Sequence, residues 1–274
     1  MCASDYQNTK TVVRLSQKAY GLCIIAMGLQ QLAYGNINSN FLPVEFSANI
    51  IYRLIAYPWG IAFTLSGVAY LINKKGFEVS LISGGIFLIL FLLAYAPYLI
   101  FFDPEGKQLL EWAPAVEDLA FTGSSFIVAG SFRTDHNHAT GLIRWLEKLI
   151  PFGRIFFSSM LIIYGIDHFV YTDFVSAMVP SWIPKPFFWT YFAGAALIGA
   201  GIAIIFRIKI RIVASLLGIM IFLWLILLHI PRALADPFVE RGLELTRVFV
   251  TIGFTGVAFL MAFEKSPGQM NRKN

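Results

Sequence analysis

Eight long apolar runs, separated by short polar connections, constrain this chain of 274 residues more than any other feature. Fifty-seven percent of the residues are hydrophobic, only 14% are charged, and the mean hydropathy is +0.69. A helix of about 20 apolar residues crosses the hydrocarbon core of a bilayer, where only helices and closed barrels satisfy the backbone. The runs do not alternate in polarity, which favours helices over a barrel. We therefore expect an all-α polytopic membrane protein with eight transmembrane helices.

The apolar runs also give approximate bounds for these helices. Pro97 and Pro231 are expected to end the third and the seventh helix or to kink them, because proline lacks the N–H that a helix interior uses. The polar segment before the first run shows no cleavage pattern, so that run is expected to stay as an anchor. The predicted helices are Ala19–Tyr34, Ala48–Ile72, Ser80–Phe101, Pro114–Phe132, Phe152–Tyr171, Phe187–Phe206, Ile212–Ile230 and Leu245–Phe263.

Lysine and arginine are distributed unevenly between the two sets of connections. Both termini and the second, fourth and sixth connections together hold more than twice as many as the other connections. Basic residues are retained in the cytoplasm, so both termini are predicted to lie there. We interpret these residues as topology signals and contacts to anionic lipids, not as a nucleic-acid patch. The predicted partner is therefore the lipid bilayer, and a functional site is expected among the longer, more acidic and more aromatic outer connections.

The second four runs repeat the pattern of the first four. Residues 28–43 align with residues 165–180 without gaps, and Asp103-Pro104 aligns with Asp236-Pro237. In that second register Phe121-Thr122-Gly123 also matches the Phe-Thr-Gly triplet that begins at Phe254. Four helices per repeat is an even number, so both repeats enter the membrane in the same sense, as two parallel four-helix repeats. The predicted organisation is a cytoplasmic segment 1–18, repeat 1 at 19–132, a cytoplasmic linker 133–151, repeat 2 at 152–264 and a cytoplasmic tail 265–274.

The second half carries a recognisable set of motifs. They are Tyr164-Gly-Ile-Asp-His168, Met178-Val-Pro-Ser-Trp182, the small-residue helix Gly194–Gly201 with basic Arg207 and Arg211 after it, and a seventh helix that ends near His229. With these motifs the second half resembles the DoxX-like family of bacterial integral membrane proteins, and the whole chain looks like a tandem version. The resemblance implies a helical bundle in the bacterial inner membrane. It also implies an accessory or quinone-interacting subunit of a redox system, with a periplasmic or membrane redox partner.

Three ionisable residues are predicted at one depth near the outer surface. Asp167 and His168 lie at the end of the fifth helix, and His229 lies at the end of the seventh. Ionisable groups at membrane depth usually face the bundle and are paired. The two imidazoles could approach each other and handle protons for a quinone. Haem ligation is disfavoured, and a purely interfacial hydrogen-bonding role stays open as the alternative.

Arg232 and Tyr164 are the predicted contacts to a quinone carbonyl or an anionic headgroup, with Arg232 supplying a cationic donor. Glu244 is expected to complement the start of the eighth helix and to pair with Arg241 on one face. The alternative functions are a small-molecule or lipid transporter with a cavity between the repeats, and a non-catalytic scaffold.

The remaining candidates favour structural roles. Cys23 is expected to pack in an apolar run, and Cys2 and Cys23 form no C-x-x-C motif. His136 and His138 in the linker have no obvious third ligand, so no metal site is predicted. Ala195, Gly199 and Ala203 recur at every fourth position of the sixth helix and predict a close helix–helix approach.

Overall fold

The computed structural model describes residues 3–39, 41–43, 50–132, 140–238 and 242–263, and these residues are almost entirely helical. Eight long helices carry the fold, and we number them in chain order. They are α1 (Ala3–Tyr34), α2 (Ile50–Leu71), α3 (Gly76–Phe101), α4 (Ala113–Phe132), α5 (Gly153–Val170), α6 (Pro186–Ile205), α7 (Ile210–Ala235) and α8 (Leu243–Phe263).

Within the described residues, seven of these helices are long and apolar enough to cross a membrane. The one that does not meet this standard is α4, which spans 20 residues but carries Glu117 and Asp118. Most of α4 is buried by the other helices, so its polar side chains need not face lipid. The fold thus has the properties of a multi-pass α-helical membrane protein.

The predicted helix bounds are confirmed to within a few residues at most ends, with two clear corrections. The first helix begins at Ala3 rather than Ala19, so helix also covers most of the predicted N-terminal segment 1–18. The predicted linker 133–151 contains the short helix Gly141–Glu147, and a Cβ atom on Gly85 of α3 would lie 2.9 Å from the side chain of Leu146. Apolar residues of that short helix pack against a buried cluster on α3 and α4.

Neither Pro97 nor Pro231 ends its helix. A π-helical turn precedes each proline, at Phe91–Tyr95 in α3 and at Leu225–His229 in α7. The N–H of Ala96 donates to the carbonyl of Phe91 five residues back. This wider hydrogen-bond step lets the helix continue past a residue that has no N–H, and such turns are a known cause of helix bending.

The eight helices form a closed ring in chain order. Each helix contacts the next one along the chain, and α8 packs against α1 and closes the ring. The contacts between α2 and α3 and between α6 and α7 are small, whereas those of α1 with α8 and of α4 with α5 are extensive. The helices α4 and α8 also touch across the middle, which makes them the central pair.

Small residues allow the closest of these helix contacts. A Cβ atom on Gly28 of α1 would lie 2.7 Å from the carbonyl oxygen of Gly60 in α2. In α5 and α6, a Cβ atom on Gly165 would lie 2.8 Å from the carbonyl oxygen of Gly194. Close approach of α6 therefore uses Gly194. The prediction for Gly199 was wrong, because this residue is exposed and a Cβ atom there would meet open space.

Phenylalanine rings fill the centre of the bundle. Phe121 of α4 lies 5.2 Å from Phe254 of α8, measured between ring centroids, and Phe157 of α5 packs edge-on against Phe254 at 5.4 Å. Phe41 enters the same core from the connection after α1, 5.1 Å from Phe63. Cys23 is fully buried in this core, as expected.

The connections fall at two ends of the bundle, which we call the acidic end and the basic end. Among the described residues, the acidic end comprises 35–39, 41–43, 102–112, 171–185, 236–238 and 242, and there the N–H of Leu110 donates to the Tyr171 hydroxyl at 3.4 Å. The basic end comprises residues 72–75, 140–152 and 206–209, where Gln17 of α1 donates to the Ser131 hydroxyl at 3.0 Å. The acidic end corresponds to the predicted outer side.

Candidate functional site at the acidic end

A cavity of about 420 Å³ opens at the acidic end. Residues 177–182 form one wall, and the last turns of α7 form the other. Most of the lining side chains are apolar, and Arg232 is the charged one. Its volume falls within the range of small-molecule sites, which are mainly apolar with a few placed polar groups. The α7 side of the lining consists of Leu227, Leu228, Pro231, Arg232 and Ala235.

Local structure explains how Arg232 reaches this cavity. The π-helical turn at Leu225–His229 carries α7 past Pro231, and the helix then continues to Ala235. Without that turn the helix would be expected to stop near the proline, one residue before Arg232. The opposite wall begins after the short helix Thr172–Ser176, where the chain turns at Pro180.

The guanidinium of Arg232 is held by a buried carboxylate. Its Nη2 donates to Oε1 of Glu244 at 2.8 Å, and Nη1 of Arg247 donates to the same oxygen at 3.1 Å. The side chain of Glu244 is only 9% exposed, whereas those of Arg232 and Arg247 are each 38% exposed. Two positive charges around one negative charge leave a net positive charge at the cavity wall, which suits an anionic or carbonyl oxygen.

His229 lies one turn before Arg232 on α7 and is partly buried. Its Nδ1 is buried and has no hydrogen-bond partner within the described part of the chain. Arg247, Glu244 and Arg232 all lie close enough to interact with it electrostatically. His229 therefore belongs to the charged group behind the cavity, although its side chain does not line the cavity itself.

A second polar group lies between α4 and α5. The hydroxyl of Tyr164 donates to Oε2 of Glu117 at 2.7 Å and contacts the carbonyl oxygen of Ala113 at 3.3 Å. Asp167, one turn further along α5, is buried, and its Oδ1 has no hydrogen-bond partner among the described residues. Arg247 lies within electrostatic range of both Tyr164 and His229, so its charge acts on both groups.

The side chain of His168 does not line the cavity. Its Nδ1 lies 2.7 Å from the carbonyl oxygen of Tyr164, and its ring stacks on Trp224 with 6.3 Å between centroids. Within the described residues, no contact joins His168 to His229. The two imidazoles predicted to approach each other are thus held in different environments.

The structure therefore divides the predicted site residues. Arg232 lines the cavity, His229 lies behind it, and Tyr164 and Asp167 lie on the α4 side, away from the cavity lining. Glu244 pairs with Arg232 and with Arg247 three residues on. Arg241, the predicted partner of Glu244, lies outside the described residues, as do His136 and His138.

Sequence reasoning missed the polar residues of α4. Glu117 and Asp118 interrupt an otherwise apolar run, and this pair was a signal that could have been used. Asp118 is fully buried, and neither of its carboxyl oxygens has a hydrogen-bond partner in the described ranges. Gln31 of α1, at the position that matches His168, is also buried without a partner for its amide.

Comparison with known proteins adds one match. The bundle of apolar helices defines the class, a multi-pass α-helical membrane protein. Residues 157–254 of the chain match the model of a family described as a domain of unknown function, DUF8561. No curated protein and no solved structure matches the chain. The matched segment, less than half of the chain, contains the cavity lining, His229, Glu244 and Arg247.

Proposed function

We propose that this chain is a DoxX-like protein of the bacterial inner membrane, with eight transmembrane helices in two parallel four-helix repeats. On this proposal α4 is the eighth transmembrane helix, and both termini lie in the cytoplasm. The bundle interior supplies the polar environment that α4 needs. Repeat 1 comprises α1 to α4, and repeat 2 comprises α5 to α8.

Matched backbone features support the duplication. The π-helical turn before Pro97 in α3 has its counterpart before Pro231 in α7. The turn between α2 and α3 has positive φ angles at Asn73 (54°) and Lys75 (52°). The turn between α6 and α7 has them at Arg207 (56°) and Lys209 (43°). Such left-handed residues are uncommon outside glycine, so two pairs with the same spacing favour a common origin.

Helix packing gives independent support. The contact of α1 with α2 through Gly28 and Gly60 corresponds to that of α5 with α6 through Gly165 and Gly194. The contact of α8 with α1 corresponds to that of α4 with α5, and both central helices belong to the fourth position of a repeat. This pairing is what a pseudo-twofold axis along the membrane normal would produce.

The cavity at the acidic end is proposed to bind the headgroup of a quinone for a redox system. The observation that carries this function is Arg232, a cationic donor in an apolar cavity, held in place by the buried Glu244. The ring would lie among Pro180, Trp182 and Leu227, and a quinone carbonyl would accept a hydrogen bond from the guanidinium. The periplasmic or membrane partner would exchange electrons with the bound quinone.

Protons for this chemistry would come from the ionisable residues around the cavity. His229 is the best placed of these, since it is close to the Arg232–Glu244 pair. Asp167 and His168 would act as a more distant relay on α5. Tyr164 is proposed to position Glu117 and Asp167 on the α4 side, because its hydroxyl is already engaged with Glu117.

The direct test is quinone binding to the purified protein in lipid nanodiscs. A short-chain quinone is titrated while tryptophan fluorescence is recorded, and a Trp182→Phe variant identifies the part of the quenching that comes from the cavity. The expected result is saturable quenching. Arg232→Gln should weaken binding by about tenfold, since a hydrogen bond to a charged group contributes about 1.5–3 kcal/mol.

Arg247→Gln is the matched control. It removes the same charge and the same pairing with Glu244, but Arg247 does not line the cavity. Its loss of affinity should be clearly smaller than that of Arg232→Gln, because Arg247 contributes charge near the cavity but no hydrogen bond within it. Equal binding by the wild type and Arg232→Gln, or equal loss in both arginine variants, would refute the proposed role of the cavity.

A further inference from the structure

The middle of α4 holds a buried carboxyl group that the cavity does not use. Asp118 has no exposed surface, and both of its carboxyl oxygens lack a hydrogen-bond partner in the part of the chain that the structure describes. It lies within electrostatic range of Tyr20 of α1, whose own hydroxyl is 2.8 Å from the Ser125 hydroxyl. Ionisable groups at membrane depth usually mark a functional site.

Thr122 supplies a second oxygen without a partner. It lies one helical turn after Asp118, on the same face of α4, and it too has no exposed surface. A buried threonine in a helix ordinarily donates to the carbonyl four residues back. Thr122 makes no hydrogen bond among the described residues, so its hydroxyl is not used by its own helix.

The matching helix shows what the usual arrangement looks like. In α8, Thr255 occupies the place of Thr122 within the same Phe-Thr-Gly triplet, and its hydroxyl donates to the Thr251 carbonyl at 2.8 Å. Thr251 stands where α4 has Asp118, and its hydroxyl in turn donates to the Arg247 carbonyl at 2.6 Å. At these two matched positions the oxygens are therefore unpartnered in α4 and partnered in α8, so the difference does not follow from the triplet.

The free-energy cost of an unpaired buried charge limits what can bind beside Asp118. An unpaired carboxylate in a protein interior costs several kcal/mol, so Asp118 must be neutralised. A proton alone would neutralise it but would leave a carboxyl group and the Thr122 hydroxyl without partners. A small cation bound by the carboxylate and the hydroxyl would satisfy all three oxygens together.

The chemistry of the donors selects the cation. Hard cations prefer oxygen ligands, and one carboxylate balances a single positive charge. The described residues contain no group of three or more histidine, cysteine, aspartate or glutamate side chains suited to a metal ion. A multivalent ion, which such groups hold, is therefore disfavoured relative to a monovalent one.

We propose that Asp118 and Thr122 bind a sodium ion in the centre of the bundle. The site lies on α4, apart from the cavity at Arg232, and does not depend on the proposed quinone function. Binding a charged ligand here would stabilise the packing of α4 against α1 and α5. The ion would stabilise the folded protein in proportion to its concentration above the dissociation constant.

Thermal unfolding in different salts tests the site. The purified full-length protein is measured in sodium chloride and in N-methylglucamine chloride at the same ionic strength and pH, and binding of radioactive sodium is measured in parallel. We expect a saturable, sodium-dependent rise in unfolding temperature for the wild type. Asp118→Asn should abolish this rise and the sodium binding, and Thr122→Val should weaken sodium binding by about tenfold.

Thr255→Val is the matched control, because it removes the equivalent hydroxyl from α8 and should keep the full sodium response. Equal unfolding temperatures in the two salts, or a sodium response that survives in Asp118→Asn, would overturn the proposal. A response to pH but not to sodium would also overturn it, because a proton would then be the ligand. Should Asp118→Asn fail to fold, radioactive sodium binding to the wild type and Thr122→Val decides the question.

Discussion

At the scale of single residues, the acidic end depends on one buried carboxylate. Glu244 accepts from both Arg232 and Arg247 through the same oxygen. The sequence located Arg232 and His229 at the end of an apolar run, and the structure has both in the last turns of α7. It could not predict that Arg232 would pair with Glu244, since that contact depends on the crossing of α7 with α8.

Removing the charge of Glu244 should destabilise the protein. Glu244→Gln leaves two guanidinium groups without a carboxylate. We expect a loss of about 2 kcal/mol, less than the 3–5 kcal/mol typical of breaking a fully buried pair, because both arginines are partly solvated. Equilibrium unfolding in a denaturing detergent would measure it.

Glu111→Gln is the control for that measurement. Glu111 is the residue that aligns with Glu244 in the first half, but it is exposed. Its substitution should change the free energy of unfolding by no more than about 0.5 kcal/mol. Similar losses in the two variants would mean that burial of Glu244 contributes nothing to stability.

At the scale of helices, the apolar runs predicted where each element lies but not how each one is shaped. Hydropathy located α3 and α7, but the prolines left open whether each helix ends or kinks there, because a π-helical turn has no simple sequence pattern. The small residues of α6 indicated a close approach correctly. They did not reveal its face, since the predicted spacing included Gly199, whereas packing brings Gly194 into the contact.

These two glycines provide a test within one helix. Gly194→Ala would place a Cβ atom 2.8 Å from that of His168 and 2.9 Å from the Gly165 carbonyl oxygen, so α5 and α6 must separate. We expect a loss of about 2 kcal/mol, in the range for overpacked cores. Gly199→Ala meets open space and should be neutral or slightly stabilising, because alanine is the better helix former. Thermal unfolding of both variants in the same detergent would show whether the order is as predicted or reversed.

At the scale of the whole molecule, the ring is defined by contacts between helices, which the residue pattern of a single helix does not specify. The proposed repeat rests in part on the acidic end, where polar residues match at constant spacing. In the middle of each half the apolar side chains differ, so the sequence does not reveal a match there, although the backbone turns correspond. Hydropathy alone does not mark α4 as a membrane-spanning helix, because a helix enclosed by other helices can carry charged residues such as Glu117 and Asp118.

The measurement that tests this account most directly asks whether α4 crosses the membrane. Asn73 and Ile208 are exposed at the basic end, and α3 to α6 lie between them. Single cysteines at Asn73, Ile208 and, at the acidic end, Ser181 are placed in a Cys2→Ser, Cys23→Ala background and treated with an impermeant maleimide. In intact cells we predict labelling at Ser181 alone, and labelling at Asn73 and Ile208 only after permeabilisation. Labelling of Asn73 and Ile208 from opposite sides would mean that an odd number of helices separates them, and would contradict the eight-helix arrangement.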